Sequence, residues 1–478
     1  MNDGSSVAHL AGILRNELKR YPEGGKLPSS RALMERYRVS PVTVSRAIAA
    51  LAAEGLVISR PGAGVFRGGR RPGPPPRGDV SWQEVTLGAG EGRIEPRGAD
   101  ASGLLATLTA PPPGSIDLNG GYPHPSLQPE RALAAALARA GRRPGTWDRP
   151  PVEGLPDLRA WFARDIAGPD QALGEADVLV TAGGQSALNT ALRSLTAPGA
   201  PVLVESPTYP GILAAARASG LRPVPVPVDA EGVRTDLLEE AFRTTGAKTF
   251  VCQPLFHNPT GVSLSAARRH EVLRIARRAN AFVVEDDFAR RLAHTDAPPL
   301  PRPLAADDPD GMVVHVRSLT KVTSPSLRVG ALTARGPAME RLRAIQVIDS
   351  FFVSRPLQET ALELVGSPAW ARHLRTLADT LRDRRNAMAE AVREELPLPL
   401  NAIPRGGYHL WLRLPDGTDE TALAAAALAA GVAVTPGRPY FPAEAPAPHL
   451  RLSYLGAAST EGIREGIHRL GRAWRALS

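Results

Sequence analysis

At 478 residues the chain exceeds one ordinary core, and a prior of roughly 150 residues per domain suggests about three units. A single cysteine, Cys252, excludes an intrachain disulfide framework; the polar start Met1–Ser6 and the lack of any run near the ~18–20 apolar residues of a membrane helix point to a cytoplasmic protein without a membrane partner. The net charge of +9 is uneven, because residues 1–80 hold 13 basic against 6 acidic side chains and so carry +7 of it, where a polyanion can be met.

In chain order, Ala8, Leu10, Ala11, Leu14 and Leu18 fall near helical spacing over residues 7–20, with Arg15, Lys19 and Arg20 off that face. A second helix is expected after Leu27-Pro28-Ser29-Ser30, where a serine can cap, and runs to about Tyr37. A third opens at Ser40-Pro41, a capping serine before proline at the first helical position, and continues to Glu54. Only Arg38-Val39 separate the two, the tight connection of a helix-turn-helix. Leu56–Ser59 and Val65–Arg67 around Arg60-Pro-Gly-Ala-Gly64 read as a hairpin, so residues 1–68 form an α+β winged helix-turn-helix. Leu27-Pro28-Ser29-Ser30-Arg31, Val39-Ser40-Pro41-Val42-Thr43-Val44 and Glu54-Gly55-Leu56 resemble the GntR-type DNA-binding domain. That resemblance implies double-stranded operator DNA as partner, with Arg31, Thr43, Ser45 and Arg46 at the major groove and phosphates and Arg60 and Gly62 on the wing. A basic protein-interaction domain with solvated arginines is the alternative.

Residues 69–80, within Gly68-Gly-Arg-Arg-Pro-Gly-Pro-Pro-Pro-Arg-Gly78, read as a Pro/Gly/Arg linker that cannot be helix or central strand. Residues 81–478 then alternate strand-like and helix-like patterns. Asp177–Thr181, Pro201–Glu205, Lys248–Cys252, Ala281–Glu285, Met312–Arg317 and Val329–Ala334 are the β-branched runs, and their rhythm predicts an α/β domain with a largely parallel sheet. Ligands in such sheets bind beyond the carboxyl ends of the strands.

The candidate site residues all follow strands. Gly184 and Gln185 stand where a strand becomes a helix, so free amides can bind a phosphate. Tyr209 can stack on a pyridine ring, Asn258 in Asn258-Pro-Thr-Gly261 can donate to a phenolic oxygen, and Asp286 can keep a ring nitrogen protonated. Lys321 can form a Schiff base and afterwards move protons, while Ser318 and Arg328 on the same stretch can complete a phosphate cup. Read singly, each has a plainer alternative: a Gly-Gly turn, a core tyrosine, an Asn-Pro turn.

As an ordered set they resemble fold-type I, class I aminotransferases over some 360 residues, which implies pyridoxal 5′-phosphate as cofactor, Lys321 as the catalytic amine and a smaller C-terminal α+β domain over about 381–478. Pro404-Arg-Gly406-Gly407-Tyr-His-Leu-Trp411 and Gly431-Val-Ala-Val-Thr-Pro436-Gly437 resemble that small domain, and Arg451 takes the place of the guanidinium that clamps an α-carboxylate. One departure is Phe288 in Asp286-Asp287-Phe288, where the family usually has a tyrosine; Asp287 is a fallback for the ring contact, and Trp147 stands loosely for an aromatic ahead of Gly154-Leu-Pro-Asp-Leu-Arg159. The fusion resembles the MocR branch of GntR-type regulators. It implies a homodimeric regulator that senses pyridoxal phosphate or a small amino compound through Lys321; an aminotransferase with an incidental or autoregulatory head is the alternative. Operator, effector, direction of regulation and surviving turnover are not legible in the residues.

Overall fold

Both serines expected to start helices do so. The chain was studied as a computed structural model, which describes residues 3–60, 63–68, 101–167, 173–400 and 402–477. In α1 (Asp3–Glu17), α2 (Ser30–Tyr37) and α3 (Pro41–Ala53), Ser29 Oγ accepts from Ala32 N at 3.3 Å and Ser40 Oγ from Thr43 N at 3.2 Å, with Pro41 in the first turn of α3. Arg38 takes the left-handed conformation, φ 52°, that turns α2 into α3 within two residues. Strands β1 (Val57–Arg60) and β2 (Gly64–Arg67) pair antiparallel as the wing. Leu10, Leu14, Leu33, Val44, Ala47, Leu51 and Val57 form the head's core. Gly62, a wing-tip candidate, and the segment 69–100, which contains the expected linker, lie outside the described residues. Contacts divide the chain into two compact units near residue 96.

In the body, β3 (Ile116–Asp117) precedes an eight-stranded sheet made of β4 (Val178–Thr181), β5 (Pro201–Ser206), β6 (Arg222–Asp229), β7 (Gly232–Val233), β8 (Thr249–Cys252), β9 (Phe282–Asp286), β10 (Val313–Ser318) and β11 (Gly330–Thr333). Their spatial order is β4-β11-β10-β9-β8-β5-β6-β7. All six expected runs are strands, with ends within one residue. Strands β6, β5, β8, β9 and β10 are mutually parallel, whereas β11 runs against both β10 and β4. The reason is the short Lys321 stretch, which holds no crossover helix and so cannot return β11 parallel to β10.

Strand β6, Arg-Pro-Val-Pro-Val-Pro-Val-Asp, was not expected because proline opposes strand. Its prolines alternate, so all three missing N–H groups point away from β5. The carbonyl of Pro227 lies on that same outer side and accepts from Arg234 N at 2.9 Å, so the pairing with β5 loses nothing.

Successive strand residues face opposite helix layers. Val202 and Val204 join Leu188, Ile212 and Leu342 from helices Gly184–Leu195, Pro210–Ala218 and Pro337–Ser350. Leu203 joins Leu238 and Val272 from Thr235–Thr245 and Ala266–Ala279. C-terminally, β12 (His409–Arg413), β14 (Thr435–Pro436) and β15 (His449–Ser453) form an antiparallel sheet in the order β12-β15-β14. Strand β13 (Val432–Ala433) pairs with β3, so residues near 116 pack with the C-terminal part, a link that a two-residue strand does not announce. Position 381, the expected start of the small domain, falls inside the unbroken helix Pro368–Glu395.

Candidate functional site

One cavity beyond the carboxyl ends of the central strands is lined by Gly184, Gln185, Tyr209, Asn258, Asp286, Ser318, Lys321 and Arg328, the full set expected for a cofactor. Lys321 follows β10, and its Nζ donates to Gly121 O at 2.6 Å and lies 4.2 Å from the ring centre of Tyr122. Burial, then repulsion from Arg451, pull its amine down to about 7, with Asp286 opposing. Asp286 ends β9, buried, and accepts from Gln253 Nε2 at 2.7 Å. Burial pushes its carboxyl up to about 7, against the hydrogen bond from Gln253.

The phosphate end is built from glycine. Gly183 has φ +86°, and a Cβ there would stand 3.0 Å from Arg328 Nη2. Arg328, itself at φ 49°, donates to Ala182 O at 2.7 Å, which brings the guanidinium to the start of the twelve-residue helix that begins at Gly184. That helix end supplies free amides and a positive dipole. Gln185 Oε1 and Thr320 Oγ1 are buried at the same cavity without a hydrogen-bond partner among the described residues, as expected of atoms that await a polar group. Asn258 is buried, and Arg451 Nη1 donates to its Oδ1 at 3.3 Å. Arg451 is not a lining residue of the cavity. It bonds Asn258 and donates to Asn119 O at 2.5 Å.

The fallback to Asp287 is corrected. Alternation along β9 turns its side chain to the far side of the sheet, where it accepts from Arg290 Nε at 2.6 Å and Arg317 Nη2 at 3.0 Å. Burial pushes that carboxyl up, but the two arginines outweigh it and hold it below the ordinary range. Glu285 and His315 join it there, with Glu285 taken up by His315 Nδ1 at 2.9 Å and by the amides of Leu304 and Ala305. Phe288 does line the cavity, whereas Trp147 is 85% exposed and outside it. The sequence reading missed Tyr122, Gln253, Thr320 and Tyr408, all of which line it. Tyr408 lies in the Gly406-Gly407-Tyr-His stretch, Thr320 directly precedes Lys321 and Gln253 directly follows the run Lys248–Cys252; nothing local marks Tyr122.

In the head, Arg31, Ser45, Arg46 and Arg60 are exposed. Arg31 is 3.4 Å from Glu35, and Arg60 lies over the Phe66 ring at 4.9 Å. Thr43, expected at the DNA, is 4% exposed; its N–H donates to the capping Ser40 Oγ and its hydroxyl is 2.8 Å from that same oxygen.

A buried amine near neutrality, a buried carboxyl, an amide and an arginine-lined helix start match the aldehyde, ring nitrogen, phenolic oxygen and phosphate of pyridoxal 5′-phosphate. Fold and cavity thus define a pyridoxal-phosphate protein of aminotransferase type behind a winged helix-turn-helix head. Residues 116–470 match the family "Aminotransferase class I and II", and residues 7–66 match "Bacterial regulatory proteins, gntR family". The 2-aminoadipate transaminase of Thermus thermophilus is 34% identical over 83% of this chain and 98% of its own. YjiR of Escherichia coli, an uncharacterized HTH-type transcriptional regulator, is 28% identical over 98% and 99%. The crystal structure of LysN, the alpha-aminoadipate aminotransferase of Thermus thermophilus complexed with N-(5'-phosphopyridoxyl)-L-leucine, superposes with a TM-score of 0.74 at 33% identity, over 83% of this chain and 99% of that one. The chain belongs to the aminotransferase class I and II family and carries a gntR-type regulatory domain at its N-terminal end, the MocR-like arrangement. Its cofactor is pyridoxal 5′-phosphate.

Proposed function

We propose that the chain is an operator-binding transcription regulator that senses pyridoxal phosphate, or a small amino compound captured on it, through Lys321. The observation that carries the reading is that one chain joins a winged helix-turn-helix with Arg31, Ser45 and Arg46 exposed to a cavity in which the buried Lys321 amine is drawn down to about 7. Pyridoxal phosphate supplies an aldehyde for an amine and an electron-withdrawing ring. The chain's own groups do the rest. Lys321 Nζ, part neutral at physiological pH, is nucleophilic and can hold or release a proton. Asp286, ionised by a cationic neighbour, holds a ring proton; Arg328, Ser318 and the amides at Gly184 and Gln185 hold a phosphate. Arg451 offers a carboxylate its two Nη groups at the cost of leaving Asn119 O and Asn258 Oδ1.

On the DNA side, α3 presents Ser45 and Arg46 on its exposed face with Arg31 exposed on α2, which suits a recognition helix in a major groove. We also propose a homodimer. Ile348 is 72% and Phe351 70% exposed at the end of one helix, and Gly145, two residues before the exposed Trp147, approaches Arg355 in the next. Apolar exposure of this kind marks an interface. Among the described residues no helix is long and apolar enough to cross a membrane.

Asn258 and Arg451 favour a second reading, a working aminotransferase. Incubating the holo-protein with amino acids and a 2-oxo acid separates the two. A stalled spectral change without keto-acid release supports a sensor, repeated keto-acid formation supports the enzyme, and no spectral change with any amine limits the sensor to the vitamin.

A further inference from the structure

Gln253 follows β8 and is 2% exposed, and its side chain joins two residues of the cavity. Its Oε1 accepts from the backbone N–H of Asn258 at 3.1 Å, and its Nε2 donates to Asp286 Oδ2 at 2.7 Å. Its own N–H donates to Glu205 Oε2 at 2.7 Å, which fixes where the side chain starts. A backbone N–H can only donate, so the amide oxygen has to face Asn258 and the NH₂ has to face Asp286. The amide therefore cannot flip, and Oδ2 of Asp286 is held as an acceptor that carries no proton. No hydrogen bond is given to Oδ1, the other oxygen of this cavity-lining residue, among the described residues.

We infer that Gln253 is a positioning residue that holds Asp286 ionised with Oδ1 presented to the cavity, and that it locks Asp286 and Asn258 into one unit. The carboxyl needs such help. Glu205 and, across the sheet, Asp287 both oppose its charge, with Lys321 in its favour and the phenols of Tyr209 and Tyr408 near by. Without a donor, burial beside two other carboxylates leaves Asp286 protonated, and a protonated Asp286 gives a ring nitrogen no anion. The inference rests on the reading of the cavity as the seat of pyridoxal phosphate.

The test uses the full chain with Gln253→Met, neutral and of similar length, and Gln253→Glu, which keeps the acceptor for Asn258 and loses the donor. In the cofactor-free protein near pH 7, infrared spectra should show a protonated-carboxyl band in both variants that is weaker in the natural chain and absent when Asp286→Asn is added to Gln253→Met. Pyridoxal phosphate should bind roughly ten- to a hundredfold more weakly, the range for one hydrogen bond to a charged group. If either variant melts like the natural chain yet shows its carboxyl band and its cofactor affinity, the role of Gln253 is overturned. If the natural chain itself takes up no pyridoxal phosphate, the reading of the cavity falls and this inference with it.

Discussion

Phe288 meets Tyr408 edge to face, with ring centres 6.1 Å apart and planes at 78°, on the cavity wall beside Lys321. The position that usually offers a hydroxyl thus offers a ring edge. Tyr408, pushed up to about 12 chiefly by burial, remains a protonated phenol there. Phe288→Tyr should move the pH midpoint of the bound cofactor's visible absorbance, by on the order of one unit if the new hydroxyl bonds to the ring system. An unmoved titration would place residue 288 away from the ring.

Lys321→Ala should abolish the borohydride-reducible adduct, and a retained adduct would move the covalent bond to another amine. A buried lysine with a lowered value also has a pH signature. Between about 7 and its ordinary 10.5 the unfolded chain holds a proton that the folded chain does not, so this group makes stability rise with pH across that window. Lys321→Met should therefore stabilise the cofactor-free chain most below pH 7. The gain should shrink as pH rises through the window, as thermal unfolding at several pH values would show.

Gly183, at φ +86° and ψ 177°, occupies a region nearly closed to other residues. Gly183→Ala should cost about 1–3 kcal/mol in stability and displace Arg328. Cofactor affinity should fall with it, and an alanine variant with natural affinity would show that the guanidinium does not hold the phosphate.

For the head, Arg46→Ala should lower the slope of log affinity against log salt by about one, and Arg31→Ala likewise, if each meets a phosphate. Thr43→Ala keeps the N–H that Ser40 caps but loses the hydrogen bond between the two hydroxyls, so it should instead destabilise the head by about 1 kcal/mol while base preference holds. A change of preferred sequence in Thr43→Ala would return that residue to the recognition surface.

Much of this was legible in the sequence. Caps and proline positions announce α2 and α3 because Ser29, Ser40 and Pro41 act through neighbours only a few residues away. The residues that line the cavity were legible for a related reason: most follow a strand end, where local chemistry marks their place. Three things were not legible. Strand β6 hides behind its prolines until its edge is known, and the direction of β11 depends on a loop too short for a crossover. Tyr122 reaches the cavity, and Gln253 at the end of β8 reaches Asp286, through packing between segments distant in sequence, a relation that no spacing encodes. Thr43 shows the converse, since a residue in a recognition motif was turned inward by its own cap.

The measurement that bears most directly on the regulator reading is operator binding by the full holo-chain at near-physiological salt, with and without candidate amines, for the natural protein and Lys321→Ala. The account predicts a few preferred sites, an affinity that an effective amine shifts, and loss of that shift in Lys321→Ala; a hundredfold shift would correspond to about 2.7 kcal/mol of coupling. Uniform, salt-sensitive binding that no amine alters, the same in both proteins, would contradict it.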